Sequence, residues 1–233
     1  MLTQNTIRAI VFDLDGTLRI NNPGINQTFF KFAEELGLPS TLSQQRSAAQ
    51  WAHYYWAQSD TLASDLEAMG RDDERFWSNY VKRNLVALGC PEQLVDALAP
   101  QMREKMKNQH FDSCLFPDVP GTLENLRDAG YTIGLVSNRR TPIVEELEEL
   151  GLTPYLDFSY VAGEVDIWKP NPEIFDRAKK ETGFSSEEMV YIGDNYYADV
   201  VGAQRAGITP ILIDPEHVFP DADCVVIRSI GEI

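Results

Sequence analysis

Two aspartates, Asp13 and Asp15, follow directly on the apolar run Ile10-Val11-Phe12. Such a run is typical of a buried parallel strand, and ligands in open α/β sheets bind beyond the carboxyl ends of these strands. Side chains at i and i+2 of an extended segment point the same way, so the two acids face one crevice. Like charges this close are stabilised by a cation between them or by a proton on one acid. The pattern predicts a catalytic acid pair; an ordinary Asp-Gly turn is the alternative interpretation.

Apolar runs alternate with amphipathic stretches along most of the chain. The predicted strands are residues 7–12, 132–136, 158–161, 190–192, 211–213 and 225–227. Helix-start signals stand between the runs: Thr141-Pro142, Asn171-Pro172 and the capping box Ser185-x-x-Glu188. Strands and helices in alternation predict an α/β fold with a parallel sheet wrapped by helices.

Residues 24–109 break this alternation. No strand pattern occurs there, and the helical pattern is interrupted at Gly37, Gly70 and Gly89. The predicted helical stretches are residues 29–36, 43–68, 73–88 and 93–106. The interval therefore predicts a helical insertion between the first and second strands of the sheet.

The acidic balance of the chain limits its partners. Its 20 basic and 36 acidic residues give a formal net charge of −16, which argues against binding nucleic acid or an anionic membrane through the bulk surface. Cys90, Cys114 and Cys224 have neither disulfide-framework nor zinc-site spacing and are expected to be reduced thiols. No apolar run approaches the roughly 18 residues of a membrane span, and the N-terminus shows no signal-peptide pattern, so a cytoplasmic location is expected.

Four motifs occur in a set order, each at the end of an apolar run. They are Asp-x-Asp-Gly-Thr at 13–17, a hydrophobic strand ending in Ser137-Asn138, Lys169-Pro-x-Pro-x-x-Phe, and Gly-Asp194-x-x-x-x-Asp199. In this order the set resembles the haloacid dehalogenase superfamily, in the phosphoglycolate phosphatase-like branch that carries a helical cap. The resemblance covers nearly the whole chain. It implies a Rossmann-like core of residues 1–20 and 110–233, with an all-helical cap at 21–109.

The resemblance implies covalent catalysis by the acid pair. Asp13 would be the nucleophile, because an ionised carboxylate can attack phosphorus and form an aspartyl phosphate. Asp15 would act as general acid toward the leaving alcohol and as general base toward the incoming water. Dehalogenase members lack this second acid because a halide leaves without a proton. Asp15 therefore favours phosphorus chemistry.

Four residues are expected to bind the transferring phosphoryl group. Lys169 supplies the fixed positive charge that phosphoryl transfer needs. Ser137 and Asn138 offer a hydroxyl and backbone amides at a strand end. Thr17 offers a hydroxyl to the phosphoryl group or to the nucleophile, with a simple turn hydroxyl as the open alternative.

Asp194 would complete a metal site with Asp13 and the backbone carbonyl of Asp15. Few carboxylates, together with waters and a phosphate oxygen, favour Mg²⁺. Asp199 is expected to pair with Lys169 or to hold a metal-bound water. The alternative is that Asp199 caps a following helix.

Three other features have open roles. Residues 19–22, Arg-Ile-Asn-Asn, replace the small or acidic continuation of many relatives, so the loop shape is expected to differ there. Arg139 and Arg140 could attract an anion, but a solvated pair leading a helix is the favoured interpretation. The aromatic cluster at residues 51–56 is expected to pack between cap helices rather than to form a substrate wall.

These observations predict a Mg²⁺-dependent phosphatase, monomeric or homodimeric, that hydrolyses a small phosphorylated metabolite through an aspartyl-phosphate intermediate. One alternative is a phosphomutase of the same superfamily, which returns the phosphoryl group to a second hydroxyl. Another is a binding protein that keeps the fold without turnover. The intact set of Asp13, Asp15, Lys169 and Asp194 weighs against the binding protein.

Overall fold

The computed structural model describes residues 7–71 and 73–233, and these form two compact units. One unit contains the described residues up to Ile20 together with Cys114–Ile233. It is built around a parallel sheet. The other unit is Asn21–Ser113, and it is helical between the strand ends at its two boundaries. The predicted class, an α/β core with an inserted helical segment, is confirmed.

Strands and helices follow one another in this order: β1 (Ala9–Phe12), β2 (Arg19–Asn22), α1 (Ile25–Glu35), α2 (Leu42–Trp56), α3 (Asp60–Met69), α4 (Glu74–Ala87), α5 (Glu92–Asn108), β3 (Asp112–Leu115), α6 (Val119–Asp128), β4 (Thr132–Ser137), α7 (Val144–Glu149), β5 (Phe158–Val161), α8 (Ala162–Val165), α9 (Pro172–Thr182), β6 (Met189–Gly193), α10 (Val201–Arg205), β7 (Thr209–Ile213) and β8 (Val225–Ile227). Short 3₁₀ turns lie at Thr153–Tyr155, Ser186–Glu188 and Ile230–Glu232, and a π turn lies at Tyr196–Val200.

The six-stranded sheet has the order β5-β4-β1-β6-β7-β8. Its neighbouring strands are parallel, and Phe12 at the end of β1 pairs with Leu135 of β4 and Ile192 of β6. The chain leaves β1 toward β4 and β5 on one side and later builds β6 to β8 on the other. The topological switch point, where such sheets bind ligands, is therefore beside the carboxyl end of β1.

Alternate residues of β1 enter the apolar layers on opposite faces of the sheet. Ile10 and Phe12 belong to one core cluster, and Ala9 and Val11 belong to the other. Helices α6 and α7 cover the first cluster, and α9 and α10 cover the second. Because both faces are buried, the strand reads as a continuous apolar run.

The six predicted strands are all present, with ends that differ by up to two residues. The paired strands β2 and β3 were not predicted, because Arg-Ile-Asn-Asn and Asp-Ser-Cys-Leu lack an apolar run and lie mostly exposed or half-buried. The predicted helix at 43–68 is two helices. Ser59 starts the second one, since its hydroxyl accepts a hydrogen bond from the Leu62 amide at 3.1 Å.

Two of the three predicted helix-start signals are confirmed. The Asn171 side chain accepts the Glu173 amide at 3.0 Å, and Ser185 and Glu188 form a capping box on a 3₁₀ turn. The prediction at Thr141 is wrong. Helix α7 begins at Val144, and Ile143 precedes it without a capping side chain.

Trp51, Tyr55 and Trp56 of the aromatic cluster at residues 51–56 pack inside the helical unit, as expected, whereas Tyr54 is 46% exposed. Tyr55 is fully buried, and its hydroxyl donates to the Asp65 carboxylate at 3.0 Å. Arg83 completes this network with hydrogen bonds to both Asp65 oxygens. Among the described residues, the helices are too short or too polar to cross a membrane.

Gly163 supports the loop that follows β4. Its N–H donates to the Arg139 carbonyl at 3.0 Å, and a Cβ on Gly163 would lie 1.9 Å from the Arg140 carbonyl oxygen. Because backbone must move to relieve that clash, we expect Gly163→Ala to lower the free energy of unfolding by about 1–3 kcal/mol. Gly121, in α6, has open space at its Cβ position, so Gly121→Ala should be neutral or stabilise by up to about 1 kcal/mol. Thermal unfolding of both variants measures this difference, and equal midpoints would contradict the close approach.

Candidate active site

The sheet brings three of the four motifs to one edge. Asp13 follows β1 and donates its backbone N–H to the Ile192 carbonyl of β6 at 2.9 Å. Asp194 directly follows β6, and Ser137 is the last residue of β4. The carboxyl ends of these adjacent parallel strands thus place the predicted residues together at the switch point.

A tight turn at residues 14–19 brings the first motif close to Asp194. Gly16 has a φ of +79° and donates its N–H to the Arg19 carbonyl at 2.7 Å. A Cβ on Gly16 would lie 2.3 Å from Oδ2 of Asp194. Glycine is therefore required at position 16 for two reasons: the backbone has a positive φ, and the Asp194 carboxylate approaches closely.

The Lys169 ammonium lies at the centre of this edge and is 2% exposed. Its Nζ donates to Oδ1 of Asp13 at 2.7 Å, to Oδ1 of Asp199 at 2.7 Å, and to the Tyr191 hydroxyl at 2.9 Å. Burial would lower the pKa of Lys169, but Asp13 and Asp199 outweigh it and hold the pKa well above its ordinary value. The lysine is thus a permanent cation, and the predicted pairing with Asp199 is present.

Tyr191 is the site neighbour that the sequence did not indicate. Its hydroxyl accepts from Lys169 and donates to the Val136 carbonyl at 2.8 Å. Burial raises the pKa of Tyr191 well above its ordinary value, so the hydroxyl stays neutral. In the sequence this residue is one more apolar position of a buried strand, and no motif distinguishes it.

Asn138 holds the backbone of Lys169. Its side-chain Nδ2 donates to the Lys169 carbonyl at 2.9 Å, and its Oδ1 accepts the Lys169 N–H at 2.8 Å. Both side-chain polar atoms are therefore engaged, and the side chain orients the lysine. Ser137 is buried. Thr17 is also buried, and its hydroxyl has no hydrogen-bond partner among the described residues.

Three carboxylates share the space around the lysine. Asp13, Asp194 and Asp199 each offer an oxygen within 4.8 Å of the others. Burial is the largest cause that raises the pKa of Asp13, to about 7, despite the opposing effect of Lys169. Burial, followed by Asp13 and Asp199, holds the pKa of Asp194 well above its ordinary value. One ammonium does not neutralise three acids, of which Asp13 and Asp199 are buried and Asp194 is half-buried, so the donor set fits a divalent cation with oxygen ligands.

Asp15 lies in the opposite electrostatic environment. Arg139 donates to both of its oxygens, from Nε at 2.6 Å and from Nη2 at 2.7 Å, and Arg19 also donates to Oδ1. Burial would raise the pKa of Asp15, but the two arginines lower it below its ordinary value. The interpretation of Arg139 as a solvated side chain is therefore wrong. The two arginines that follow Ser137-Asn138 were the signal in the sequence for a charged contact here. The sequence does not reveal that Arg139 reaches Asp15.

The comparisons with known proteins agree with this geometry. A family model described as "haloacid dehalogenase-like hydrolase" matches residues 7–207. The chain belongs to the haloacid dehalogenase-like hydrolases. Among relatives of this family, the glyceraldehyde 3-phosphate phosphatase of Methanothermobacter thermautotrophicus is 34% identical over 220 residues, which cover 94% of this chain and 91% of the relative.

Two further members extend the comparison. A phosphoglycolate phosphatase of Yersinia pestis is 30% identical over 238 residues, covering 97% of this chain and 91% of the relative. The crystal structure of a HAD phosphatase from Thermococcus onnurineus has a TM-score of 0.55 at 25% identity, covering 97% of this chain and 95% of that one. The predicted family and enzyme class, a phosphomonoester hydrolase of haloacid dehalogenase type, are confirmed.

The Tyr191 contacts generate a stability prediction. Tyr191→Phe removes one hydrogen bond to a buried ammonium and one to a carbonyl, so we expect the free energy of unfolding to fall by about 2–3 kcal/mol. Tyr160→Phe is the matched control, because its buried hydroxyl donates to a single neutral carbonyl, that of Ile174, at 2.6 Å. That variant should lose about 1 kcal/mol. Calorimetric unfolding of the two variants tests the order, and an equal loss would show that Tyr191 does not support Lys169.

Proposed function

We propose that this hydrolase is a Mg²⁺-dependent phosphatase that acts on a small phosphorylated metabolite through an aspartyl phosphate on Asp13. The observation that carries the proposal is the buried ammonium of Lys169, which lies 2.7 Å from the Asp13 carboxylate at the switch point of the sheet. The relatives named for glyceraldehyde 3-phosphate and phosphoglycolate support a small phosphomonoester as substrate.

In the first half-reaction a carboxylate oxygen of Asp13 attacks phosphorus. The bond from phosphorus to the leaving oxygen breaks, and Asp15, which must enter this step protonated although Arg139 and Arg19 lower its pKa, gives its proton to that oxygen. The Lys169 ammonium stabilises the negative charge of the phosphoryl oxygens, and its two acidic partners hold it in place. The products of this step are the free alcohol and the aspartyl phosphate.

In the second half-reaction water hydrolyses the aspartyl phosphate. Asp15, now deprotonated, takes a proton from the water, which attacks phosphorus and breaks the bond to Asp13. Inorganic phosphate leaves and the Asp13 carboxylate is regenerated. The two steps need one carboxyl group that changes role from acid to base. We assign both roles to Asp15, which is two residues from Asp13 in the chain.

Asp13, Asp194 and the backbone carbonyl of Asp15 would hold Mg²⁺. The bound ion supplies positive charge that offsets the repulsion between the acids and the phosphate. Asp199 lies within reach of this cluster, but its Oδ1 accepts from Lys169, and its Oδ2 accepts the Asn195 N–H at 2.9 Å. We therefore assign Asp199 to the support of Lys169.

The phosphoryl-binding assignments divide into two groups. Ser137 and Thr17 would donate hydroxyl hydrogen bonds to the phosphoryl oxygens, and the unpartnered hydroxyl of Thr17 supports this role. Asn138 would act through its backbone, since its side chain is engaged with Lys169.

The phosphomutase remains the second candidate, because the first half-reaction is common to both activities. The two differ in the acceptor of the phosphoryl group, water or a sugar hydroxyl. A screen of phosphorylated metabolites with Mg²⁺ separates them. Stoichiometric release of inorganic phosphate supports the phosphatase, and an isomerised phosphate ester without release supports the mutase.

The nucleophile assignment predicts that Asp13→Asn abolishes turnover of 4-nitrophenyl phosphate, because an amide is not a competent nucleophile toward phosphorus. Asp221→Asn is the matched control, since Asp221 is an exposed acid on the same unit, and it should keep the wild-type rate. Steady-state assays of both variants check the prediction. Retention of more than about 1% of the wild-type rate by Asp13→Asn, with contamination excluded, would rule out Asp13 as the nucleophile.

The metal assignment predicts that a chelator removes activity and that Mg²⁺ restores it. Asp194→Asn takes one carboxylate from the ion, so its Mg²⁺ affinity should fall by about tenfold or more. Calorimetric titration of the protein with Mg²⁺ alone measures this affinity without reference to turnover, and Asp221→Asn again serves as the control. Full activity in excess chelator, or an unchanged affinity in Asp194→Asn, would contradict the assignment.

A further inference from the structure

Asp15 and three other charged side chains form a closed ring. Arg139 binds both oxygens of Asp15, and Arg19 binds one of them. Glu146 closes the ring, because it accepts from Arg139 Nη1 at 3.1 Å and pairs with Arg19 Nε at 3.0 Å. Arg19, Arg139 and Glu146 are called the Asp15 clamp below.

Three separate segments build the clamp. Arg19 ends the turn that begins with the first motif, Arg139 lies in the loop after β4, and Glu146 lies on α7. Two guanidinium groups face two carboxylates, so the ring is balanced in charge. The positions of these segments are set by the sheet, which makes the clamp a product of the core fold.

Exposure shows why Asp15 needs such a support. The side chain of Asp15 is 40% exposed, whereas Asp13 is 8% exposed and is held by Lys169. A half-exposed carboxylate on a turn samples several rotamers. Bidentate contact with a planar guanidinium removes that freedom, because the fork matches both carboxylate oxygens at once.

We propose that Arg139, which Glu146 holds, is a positioning residue that directs the Asp15 carboxyl group for proton transfer, with Arg19 as a second donor to the same carboxyl group. This inference rests on the proposed function, in which Asp15 is the acid and the base. Proton transfer requires the carboxyl group to lie within hydrogen-bond reach of the leaving oxygen, and a protonated carboxyl oxygen can still accept an arginine donor while it donates its own proton. The arginine donors are directed at the two acids, which favours positioning over capture of a substrate anion.

Leaving-group dependence separates positioning from other roles. When the ester bond to an alkyl alcohol breaks, the leaving oxygen needs the proton from Asp15. When the bond to 4-nitrophenol breaks, the phenolate leaves without a proton. Loss of the clamp should therefore slow the first half-reaction of an alkyl ester and spare that of an aryl ester. D-glyceraldehyde 3-phosphate is the alkyl probe, because it carries no second anion that an arginine would attract.

The experiment compares Arg139→Ala, Glu146→Gln and Asp15→Asn with the wild type on the two esters. We expect Arg139→Ala to lower kcat/KM for glyceraldehyde 3-phosphate by about 30-fold or more and that for 4-nitrophenyl phosphate by less than about threefold. Because water attack also needs Asp15, 4-nitrophenolate should appear in a burst followed by a slower steady rate. Glu146→Gln should show the same selectivity at about five- to tenfold.

Arg140→Ala is the matched control, since Arg140 is the exposed neighbour of Arg139 and should leave both esters unchanged. Arg139→Lys keeps the charge without the bidentate contact and should not restore the alkyl rate. Circular dichroism and unfolding midpoints establish that each variant is folded. Should Arg139→Ala fail to fold, Arg139→Lys and Glu146→Gln carry the test.

Each remaining outcome has one meaning. The clamp is overturned if Asp15→Asn slows the alkyl ester selectively while Arg139→Ala slows both esters equally or slows neither. That outcome leaves the proposed function standing. Full rescue by Arg139→Lys also overturns the clamp, because charge alone would then suffice. An Asp15→Asn without leaving-group selectivity overturns the acid-base role of Asp15, and the clamp with it.

Discussion

The buried ammonium of Lys169 is the interaction on which the site depends. It lies between Asp13 and Asp199 and also contacts Tyr191 of β6, whereas Asn138, in the loop after β4, holds the backbone of Lys169. A lysine that is 2% exposed is tolerated because its charge is paired and its donors are used. Removing either acid would leave the ammonium with one carboxylate partner instead of two. The same contacts that make the lysine stable also fix the direction of the Asp13 carboxylate.

The positive charges of the site contrast with the negative net charge of the whole chain. The formal net charge of −16 repels a phosphate at long range, so attraction must come from groups in the site. Lys169 supplies one positive charge and the clamp neutralises Asp15. Burial, and after it the neighbouring acids, raises the pKa values of Asp13 and Asp194, and a divalent cation would lower them again.

Two carboxylates only two residues apart are tuned in opposite directions. Burial dominates at Asp13 and raises its pKa to about 7, whereas Arg139 and Arg19 lower the pKa of Asp15. Distinct surroundings of this kind are how one fold assigns distinct tasks to similar groups. Asp13 accepts a hydrogen bond from Lys169, whereas Asp15 accepts from Arg139 and Arg19.

The sequence by itself determined the parallel core, the inserted helices and the acids and lysine of the site, because strand periodicity and short motifs are local. It did not determine β2 and β3, which pair with each other although neither strand contains an apolar run. Nor did it determine the contacts of Tyr191 or Arg139. Tyr191 reaches Lys169 and Val136 across 22 and 55 residues of the chain, and Arg139 reaches Asp15 across 124. Tertiary structure decided these roles, because the order of strands in the sheet, and not spacing along the chain, brings such distant side chains together.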